Sequence, residues 1–206
     1  MLLLAEIAVL FVAPVLLIKL YRGTPRFRLL LFVAALLGIV AVGLIHGLTL
    51  YQMGFRLDTA LQATILYVPF TVLSMLCLLL FAVALGAKQQ KPWKYDPFFV
   101  PAALLLSAGQ QLVYQGVLLQ LLLLQYSTGV AVVVTAFLYA FLHILFPRPL
   151  FNLAFTFVGG LVFAWIYVVE PNFLVASVAH TILNITAVTN SLVAFLDERG
   201  LLERTI

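Results

Sequence analysis

Charged residues are scarce throughout this sequence. Only 9% of its 206 residues are charged, whereas about a quarter of the residues of a soluble domain usually are. The mean hydropathy of the chain is +1.20. Without a polar shell the chain cannot cover its core with a water-facing surface. The composition therefore excludes an ordinary soluble domain and indicates a protein whose solvent is the lipid bilayer.

Cysteine and histidine are nearly absent as well. The single cysteine, Cys77, excludes a disulfide framework and a cysteine-based metal site. Three histidines, His46, His143 and His180, are left to supply imidazole chemistry. The net charge is only +4, and membrane topology explains where the basic residues lie. No nucleic-acid partner is therefore expected.

Long apolar runs are what the sequence has in abundance. One crossing of a bilayer takes about 20 apolar residues, and several stretches come close to that length. They are residues 2–20, 29–50, 60–85, 100–124, 129–146, 150–169 and 173–196. The pattern predicts an all-α, polytopic transmembrane helical bundle of about seven spans. Residues 1–99 would form N-terminal helices and a loop, residues 100–196 a helical core, and residues 197–206 a cytoplasmic tail.

Basic residues indicate the orientation of these spans. Lysine and arginine prefer the cytoplasmic flanks of membrane helices, where they need not be translocated. With seven spans, ten of the 11 basic residues fall on one side and only Arg56 falls on the other. The ten are Lys19, Arg22, Arg26, Arg28, Lys88, Lys91, Lys94, Arg148, Arg199 and Arg204. The prediction is an N-terminus outside and a cytoplasmic C-terminus, in a bacterial inner membrane or an equivalent one.

Polar side chains inside the spans are the candidates for a functional site. In hydrocarbon such residues are costly, so they usually face the interior of the bundle. Three spans carry them four residues apart, which places each set on one helix face. The sets are Ser107, Gln111 and Gln115 in span four, Tyr139 and His143 in span five, and His180 and Asn184 in span seven. We expect them to meet in a small central pocket. The alternative is that these groups only link helices by hydrogen bonds.

The depths of these residues differ on a simple count. At ~1.5 Å per residue, Gln110 lies about 15 Å from the cytoplasmic end of span four. His143 is near the cytoplasmic end of span five, whereas His180 falls in the outer half of span seven. Tilt or a shifted helix boundary is therefore needed to bring His180 level with the others.

The polar segments resemble the motifs of one membrane family. Residues 109–116, Gly-Gln-Gln-Leu-Val-Tyr-Gln-Gly, resemble a first motif that reads Glu-Glu-x-x-x-Arg, commonly followed by Gly. Residues 139–143, Tyr-Ala-Phe-Leu-His, approximate Phe-x-x-x-His, and residues 180–184, His-Thr-Ile-Leu-Asn, meet His-x-x-x-Asn in full. Residues 157–165 are similar to a Gly-containing helix between these two. Over residues 101–187 the chain resembles the CPBP intramembrane proteases (CAAX proteases and bacteriocin-processing enzymes, or Abi family).

This resemblance implies a hydrolase that acts on peptides at the membrane. In active members the leading glutamate of the first motif activates a water, and the arginine pairs with the glutamates. The resemblance assigns His143, His180 and Asn184 to positioning the water or a metal and to stabilising the oxyanion. Substrates would be prenylated CAAX segments, bacteriocin leaders or other membrane-proximal peptides, as for the Ras-converting CAAX endopeptidase.

The first motif departs from the family pattern where its chemistry is concentrated. Gln110 and Gln111 replace the two glutamates, and Gln115 replaces the arginine. A neutral amide cannot take a proton from water as a carboxylate does. The three changes are chemically coherent, because an arginine that had lost its carboxylates would be an unpaired buried charge.

Two functions follow from this pattern. The first is a catalytically impaired family member, a pseudoprotease that acts as a membrane-protein binding, assembly or accessory factor. Its partners would be the lipid bilayer and another membrane protein, or a lipidated or membrane-proximal peptide. The second is an active CAAX-type endopeptidase that uses His143, His180 and Asn184. No cofactor is expected for the first, whereas the second would use either water alone or a divalent metal, zinc, bound weakly at His143 and His180.

Overall fold

The computed structural model describes residues 2–21, 25–87, 89–94, 96–145 and 149–192, and within these ranges all regular structure is helical. The helices are α1 (Leu2–Ile7, π-helical Ala8–Val12, Ala13–Tyr21), α2 (Pro25–Ile45), α3 (Ala60–Ala84), α4 (Phe99–Gln111, π-helical Leu112–Leu119, Gln120–Leu123), α5 (Thr128–Leu142), α6 (Pro149–Val169) and α7 (Phe173–Thr189). A π-helical segment interrupts both α1 and α4. Short 3-10 turns, Pro92–Lys94 and His143–Leu145, precede α4 and follow α5.

Each predicted apolar run contains a helix, so the all-α prediction is confirmed in the described ranges. Two helices, α3 and α4, are long and apolar enough to cross a membrane, each with 25 residues, and the other apolar stretches found there are shorter. The run predicted at 29–50 is wrong at its end, because α2 stops at Ile45 and a loop follows. The predicted tail, and Arg22, Lys88, Arg148, Arg199 and Arg204, lie outside the described residues.

Helix α4 occupies the centre of the bundle. Its π-helical segment contacts α2, α5 and α6, and its first segment packs along α7. In the π-helical segment, the residues from Val113 to Leu119 are all buried. Seven consecutive buried residues cover every side of a helix, so neighbouring parts of the chain enclose this segment. Phe11 of α1 completes the enclosure by packing on Tyr114, with ring centroids 5.8 Å apart.

The loop between α2 and α3, residues 46–59, dips into the bundle. Met53 is completely buried, and its carbonyl accepts the hydroxyl proton of Tyr167 in α6 at 2.6 Å. The carbonyl of Gly54 accepts the N–H of Phe173, the first residue of α7, at 2.8 Å. A Cβ at Gly116 would lie 3.1 Å from the Met53 carbonyl. The loop backbone therefore reaches the π-helical segment of α4, and α7 begins beside it.

Asn172 joins this loop to α7 through both ends of its amide. Its oxygen accepts the N–H of Val175 at 3.1 Å, which caps the helix by satisfying a free N–H of the first turn. Its Nδ2 donates to the carbonyl of Arg56 at 2.6 Å. The guanidinium of Arg56 in turn stacks on the ring of Tyr51, 4.1 Å from its centroid. The loop is therefore an ordered part of the fold with both polar and aromatic contacts.

Two glycines of the loop provide a test of how tightly it is held. Gly47 and Gly54 both have positive φ angles, +84° and +88°, so alanine at either position is strained by roughly 1–2 kcal/mol. A Cβ at Gly47 would meet nothing within 4 Å, whereas one at Gly54 would clash with the Tyr167 hydroxyl and lie 2.9 Å from the Phe173 nitrogen.

We expect Gly54→Ala to lower the free energy of unfolding by about 1–3 kcal/mol more than Gly47→Ala, because only Gly54 adds overpacking to the backbone strain. Denaturant unfolding in detergent micelles measures the difference. Equal losses for the two variants would contradict the inward position of the loop.

Candidate active site

The motif side chains meet where α4, α5 and α7 come together. Nε2 of Gln111 lies 2.9 Å from Nδ1 of His180, and the hydroxyl of Tyr139 lies 3.0 Å from Nε2 of the same ring. Both hydrogen bonds are buried, and His180 is only 2% exposed. With the amide placed so, Gln111 donates to Nδ1, and the proton of the ring is then on Nε2, donated to Tyr139. Both ring nitrogens of His180 are therefore engaged within the bundle.

Tyr139 lies between the two histidines. His143 follows α5 at the start of a 3-10 turn, and its Nδ1 donates to the carbonyl of Tyr139 at 3.1 Å. The ring centroid of Tyr139 is 5.0 Å from that of His143 and 5.7 Å from that of His180. One tyrosine thus contacts the first imidazole through its backbone and ring, and the second through its hydroxyl and ring.

A second link between the antiparallel helices α4 and α7 lies one turn nearer the start of α4 and one turn further along α7. Nδ2 of Asn184 donates to Oγ of Ser107 at 3.0 Å. Ser107 precedes Gln111 by four residues, and Asn184 follows His180 by four. The two helices therefore present their polar stripes to each other, because an i,i+4 spacing stacks side chains on one face.

The amide oxygens of the glutamines in the first motif are buried without a hydrogen-bond partner among the described residues. Gln115 is 1% exposed, and its Oε1 has no hydrogen-bond partner among the described residues. The same holds for Oε1 of Gln110 and of Gln111. A buried polar atom without a partner costs about 1–3 kcal/mol. The first motif therefore carries an excess of acceptors, all neutral, where the family pattern has two carboxylates and a cation.

Other polar residues of the spans are placed differently. Tyr114 belongs to the cluster through its ring, which packs edge-on against Tyr139 at 5.5 Å. His46 does not, because its Nε2 pairs with the carboxylate of Glu6 at 2.9 Å between α2 and α1. Asn190 bonds to the backbone of its own helix at the end of α7. The site therefore contains two of the three histidines.

The inward loop explains how His180 reaches the depth of Gln111. Because α7 begins beside Gly116 in the middle of α4, His180 is seven residues below that level (173 to 180). Gln111 is five residues before Gly116 on the antiparallel neighbour. At ~1.5 Å per residue the two side chains come within reach. Helix α7 begins at Phe173, as predicted, but ends at Thr189 instead of residue 196, so the shifted boundary is its end and His180 lies near its middle.

One glycine makes room for the cluster, and sequence reasoning did not single it out. A Cβ at Gly160 of α6 would lie 3.0 Å from Cδ1 of Tyr139 and 3.2 Å from the Cα of Ala136. Gly160 therefore lets α6 approach α5 and leaves space for the tyrosine ring. The pair Gly159-Gly160 was visible in the sequence, but a Cβ at Gly159 would meet nothing within 4 Å. Only the packing separates the two.

The central residues form a closed arrangement. Gln111, Gln115 and His180 are at most 2% exposed. Shallow surface depressions of about 310 and 330 Å³ lie elsewhere, one lined by residues of α1 and α2 and the other by residues of α5 and α6. Neither is lined by a histidine or by a glutamine of the first motif.

The donor set at the centre does not fit a divalent metal. Zinc in proteins takes three or four nitrogen, sulfur or oxygen ligands from the chain. In the described part of the chain no group of three or more His, Cys, Asp or Glu side chains is arranged to hold one. The predicted pair, His143 and His180, has no carboxylate beside it, and both nitrogens of His180 are already bonded.

A helical bundle that brings two histidines and an asparagine together on α5 and α7, facing a first motif on α4, is the arrangement expected of a CAAX-type membrane protease. Residues 92–186 match the family described as type II CAAX prenyl endopeptidase Rce1-like. The resemblance to the CPBP proteases is confirmed for this segment, which includes all three motifs and supports a membrane CAAX protease-like protein. No curated protein and no solved structure shows significant similarity to the chain.

The neighbouring glutamines Gln110 and Gln111 allow a direct test of this geometry. Leucine at position 111 removes the donor to His180 and leaves Nδ1 without its partner, so we expect the free energy of unfolding to fall by about 1–2 kcal/mol. Leucine at position 110 removes a buried oxygen that has no partner, so the change should be within about 0.5 kcal/mol or stabilising. Unfolding of Gln111→Leu and Gln110→Leu in the same detergent measures both, and equal effects would contradict the arrangement.

Proposed function

We propose that this protein is a pseudoprotease of the CPBP family that serves as a binding, assembly or accessory factor for another membrane protein or a lipid-linked peptide. One observation carries the proposal. Where the first motif of the family has two glutamates, this chain has Gln110 and Gln111, and the amide of Gln111 is hydrogen-bonded to His180 at 2.9 Å.

The chemistry of the amide supports the loss of catalysis. A carboxylate at position 110, the leading position of the first motif, would accept a proton from water, whereas the amide of Gln110 only donates and accepts hydrogen bonds. Loss of a general base removes about two to four orders of magnitude in rate. The change from arginine to Gln115 fits, because without the two carboxylates a cation there would be buried and unpaired.

The burial of the cluster supports a structural use of the retained residues. His180 links α4 to α5, and Asn184 links α7 to Ser107 of α4. Hydrogen bonds of this kind hold membrane helices together by about 0.6–2 kcal/mol each. Binding to a partner would then use the outer surface of the bundle. Helix α3 offers such a surface, since it packs on α7 and exposes apolar side chains along its length: Leu61, Ile65, Leu73, Leu76, Leu80 and Val83.

We further propose that the chain crosses the membrane about seven times, with its N-terminus outside and its C-terminus in the cytoplasm of a bacterial inner or equivalent membrane. The distribution of basic residues supports this orientation. It places the 46–59 loop with Arg56 outside, and the loop between α3 and α4 with Lys91 and Lys94 inside.

Labelling of single cysteines tests the orientation. In a Cys77→Ala background, we expect Leu57→Cys to react with a membrane-impermeant maleimide in intact cells. Leu57 is 79% exposed, and it lies on the 46–59 loop, which the proposed orientation places outside the cell. Gln89→Cys should react only after the membrane is permeabilised, because this exposed position lies on the loop between α3 and α4, on the cytoplasmic side in the proposed orientation. The reverse pattern would contradict the proposed orientation.

An active CAAX-type endopeptidase is the alternative. This alternative is favoured by the position of His143 and His180, which both contact Tyr139. Histidines with independent structural roles would not need to lie so close together. Such an enzyme would have to activate water without the glutamates of the first motif.

Cleavage of a prenylated CAAX peptide by the purified protein in lipid vesicles separates the two functions. We expect the wild type to cleave no faster than His180→Ala, because both lack a general base. Faster cleavage by the wild type that His180→Ala abolishes would overturn the pseudoprotease proposal.

The accessory role has its own readout, which is purification from native membranes in mild detergent beside an unrelated membrane protein of similar size. A specific partner should remain near one-to-one stoichiometry through a salt wash, and recovery of the chain alone would contradict the role.

A further inference from the structure

A carboxylate on α1 borders the shallow depression of about 310 Å³ between α1 and α2. The residues that line this depression are Ala5, Glu6, Val9, Leu10 and Val42. Glu6 is the only Asp, Glu, Lys or Arg in residues 2–18 and 29–55. An ionisable side chain within apolar membrane helices is costly and usually marks a site. Glu6 lies outside the histidine cluster, so neither function considered above accounts for it.

His46 holds the carboxylate of Glu6 in place. Its Nε2 lies 2.9 Å from Oε2 of Glu6, and it is the donor because a carboxylate only accepts hydrogen bonds. The contact uses one of the two carboxylate oxygens, and a carboxylate has about four acceptor sites. The side chains of His46 and Glu6 remain 24% and 22% exposed. The carboxylate is therefore oriented by His46 and can still accept from a donor in the depression.

The depression is polar at one end and apolar at the other. Helix α2 ends at Ile45, so the contact between His46 and Glu6 lies at the end of the helix pair. Phospholipid headgroups occupy this level, because they cover roughly 5–8 Å on each side of the hydrocarbon core. One turn deeper along α1, a Cβ at Gly38 would lie 3.1 Å from Cδ2 of Leu10. The two helices therefore close together beneath the depression, where its lining is apolar.

We propose that this depression binds a phospholipid with a primary ammonium headgroup. The ammonium donates to Glu6, and part of an acyl chain lies against Val9, Leu10 and Val42. Charge complementarity selects the headgroup, because an N–H donor of positive charge makes a strong hydrogen bond to a carboxylate, whereas an anionic headgroup is repelled. A quaternary ammonium has no N–H to donate and is bound by aromatic faces, and no aromatic residue lines the depression.

Native mass spectrometry of the full-length protein in detergent tests the proposal, because it resolves individual bound lipids. The probes are phosphatidylethanolamine, phosphatidylcholine and phosphatidylglycerol with identical acyl chains. We expect the wild type to bind the first phosphatidylethanolamine about tenfold more tightly than either of the other lipids, since only this headgroup offers a charge-assisted N–H donor. Equal affinities for the three lipids would overturn the proposal. This comparison needs no variant, and its outcome is independent of peptide cleavage and of any protein partner.

Variants locate the preference at Glu6. Glu6→Gln removes the negative charge and keeps the size of the side chain, so the preference for phosphatidylethanolamine should fall to about threefold or less. Asp58→Asn is the matched control, because this carboxylate accepts the hydroxyl of Tyr51 at 3.0 Å outside the depression. It should bind the three lipids as the wild type does. A folded Glu6→Gln that keeps the full preference would overturn the proposal, as would a loss of preference in Asp58→Asn.

Val9→Trp tests the apolar end of the depression without touching the carboxylate. Val9 is 63% exposed, so a larger side chain there is tolerated by the fold and covers the depression. We expect this variant to bind phosphatidylethanolamine about tenfold more weakly than the wild type, with Glu6 and His46 in place. Unchanged binding would contradict the proposed position of the lipid.

Discussion

The centre of this protein depends on one imidazole that is bonded on both sides. His180 of α7 joins Gln111 of α4 to Tyr139 of α5 through two buried hydrogen bonds of 2.9 and 3.0 Å. Hydrogen bonds of this kind require a particular orientation of the two helices, which apolar packing alone does not. A polar group that lost its partner in hydrocarbon could not hydrogen-bond to water instead, so the wrong orientation is costly. The relative rotation and depth of the three helices are therefore set at this point. The Asn184–Ser107 bond then extends the same register by one turn.

The first motif is neutral, and this lowers the free-energy cost of burying it in the closed centre. Two glutamates and an arginine would need water or each other to be stable at this depth. Three glutamines need only hydrogen bonds, and the oxygens of Gln110, Gln111 and Gln115 that lack a partner are a much smaller penalty than an unpaired charge. Under the proposed function, the segment that resembles the CAAX proteases forms a packed polar core in place of a catalytic centre. The retained histidines fit that role as hydrogen-bonding residues.

The inward loop is the second constraint. Its backbone is tied to α6 and α7 by Tyr167 and Asn172, and it fills the space above the middle of α4. By displacing the start of α7 inward, it lowers His180 to the level of Gln111. Gly116 allows the close approach, since a side chain there would meet the Met53 carbonyl at 3.1 Å. The loop thus positions the site without contributing a side chain to it.

The sequence by itself determined the helices and the identity of the polar residues that face inward. Both depend on local quantities, namely the length of an apolar run and the four-residue spacing of Gln111 and Gln115 or of His180 and Asn184. It also showed that the first motif is neutral. Only the tertiary structure decided which groups are partners. His180 bonds to residues 69 and 41 positions away in the chain, and no local pattern distinguishes Gly160 from Gly159. Those choices depend on the rotation and depth of neighbouring helices, which the buried loop and the packing of α4 establish together.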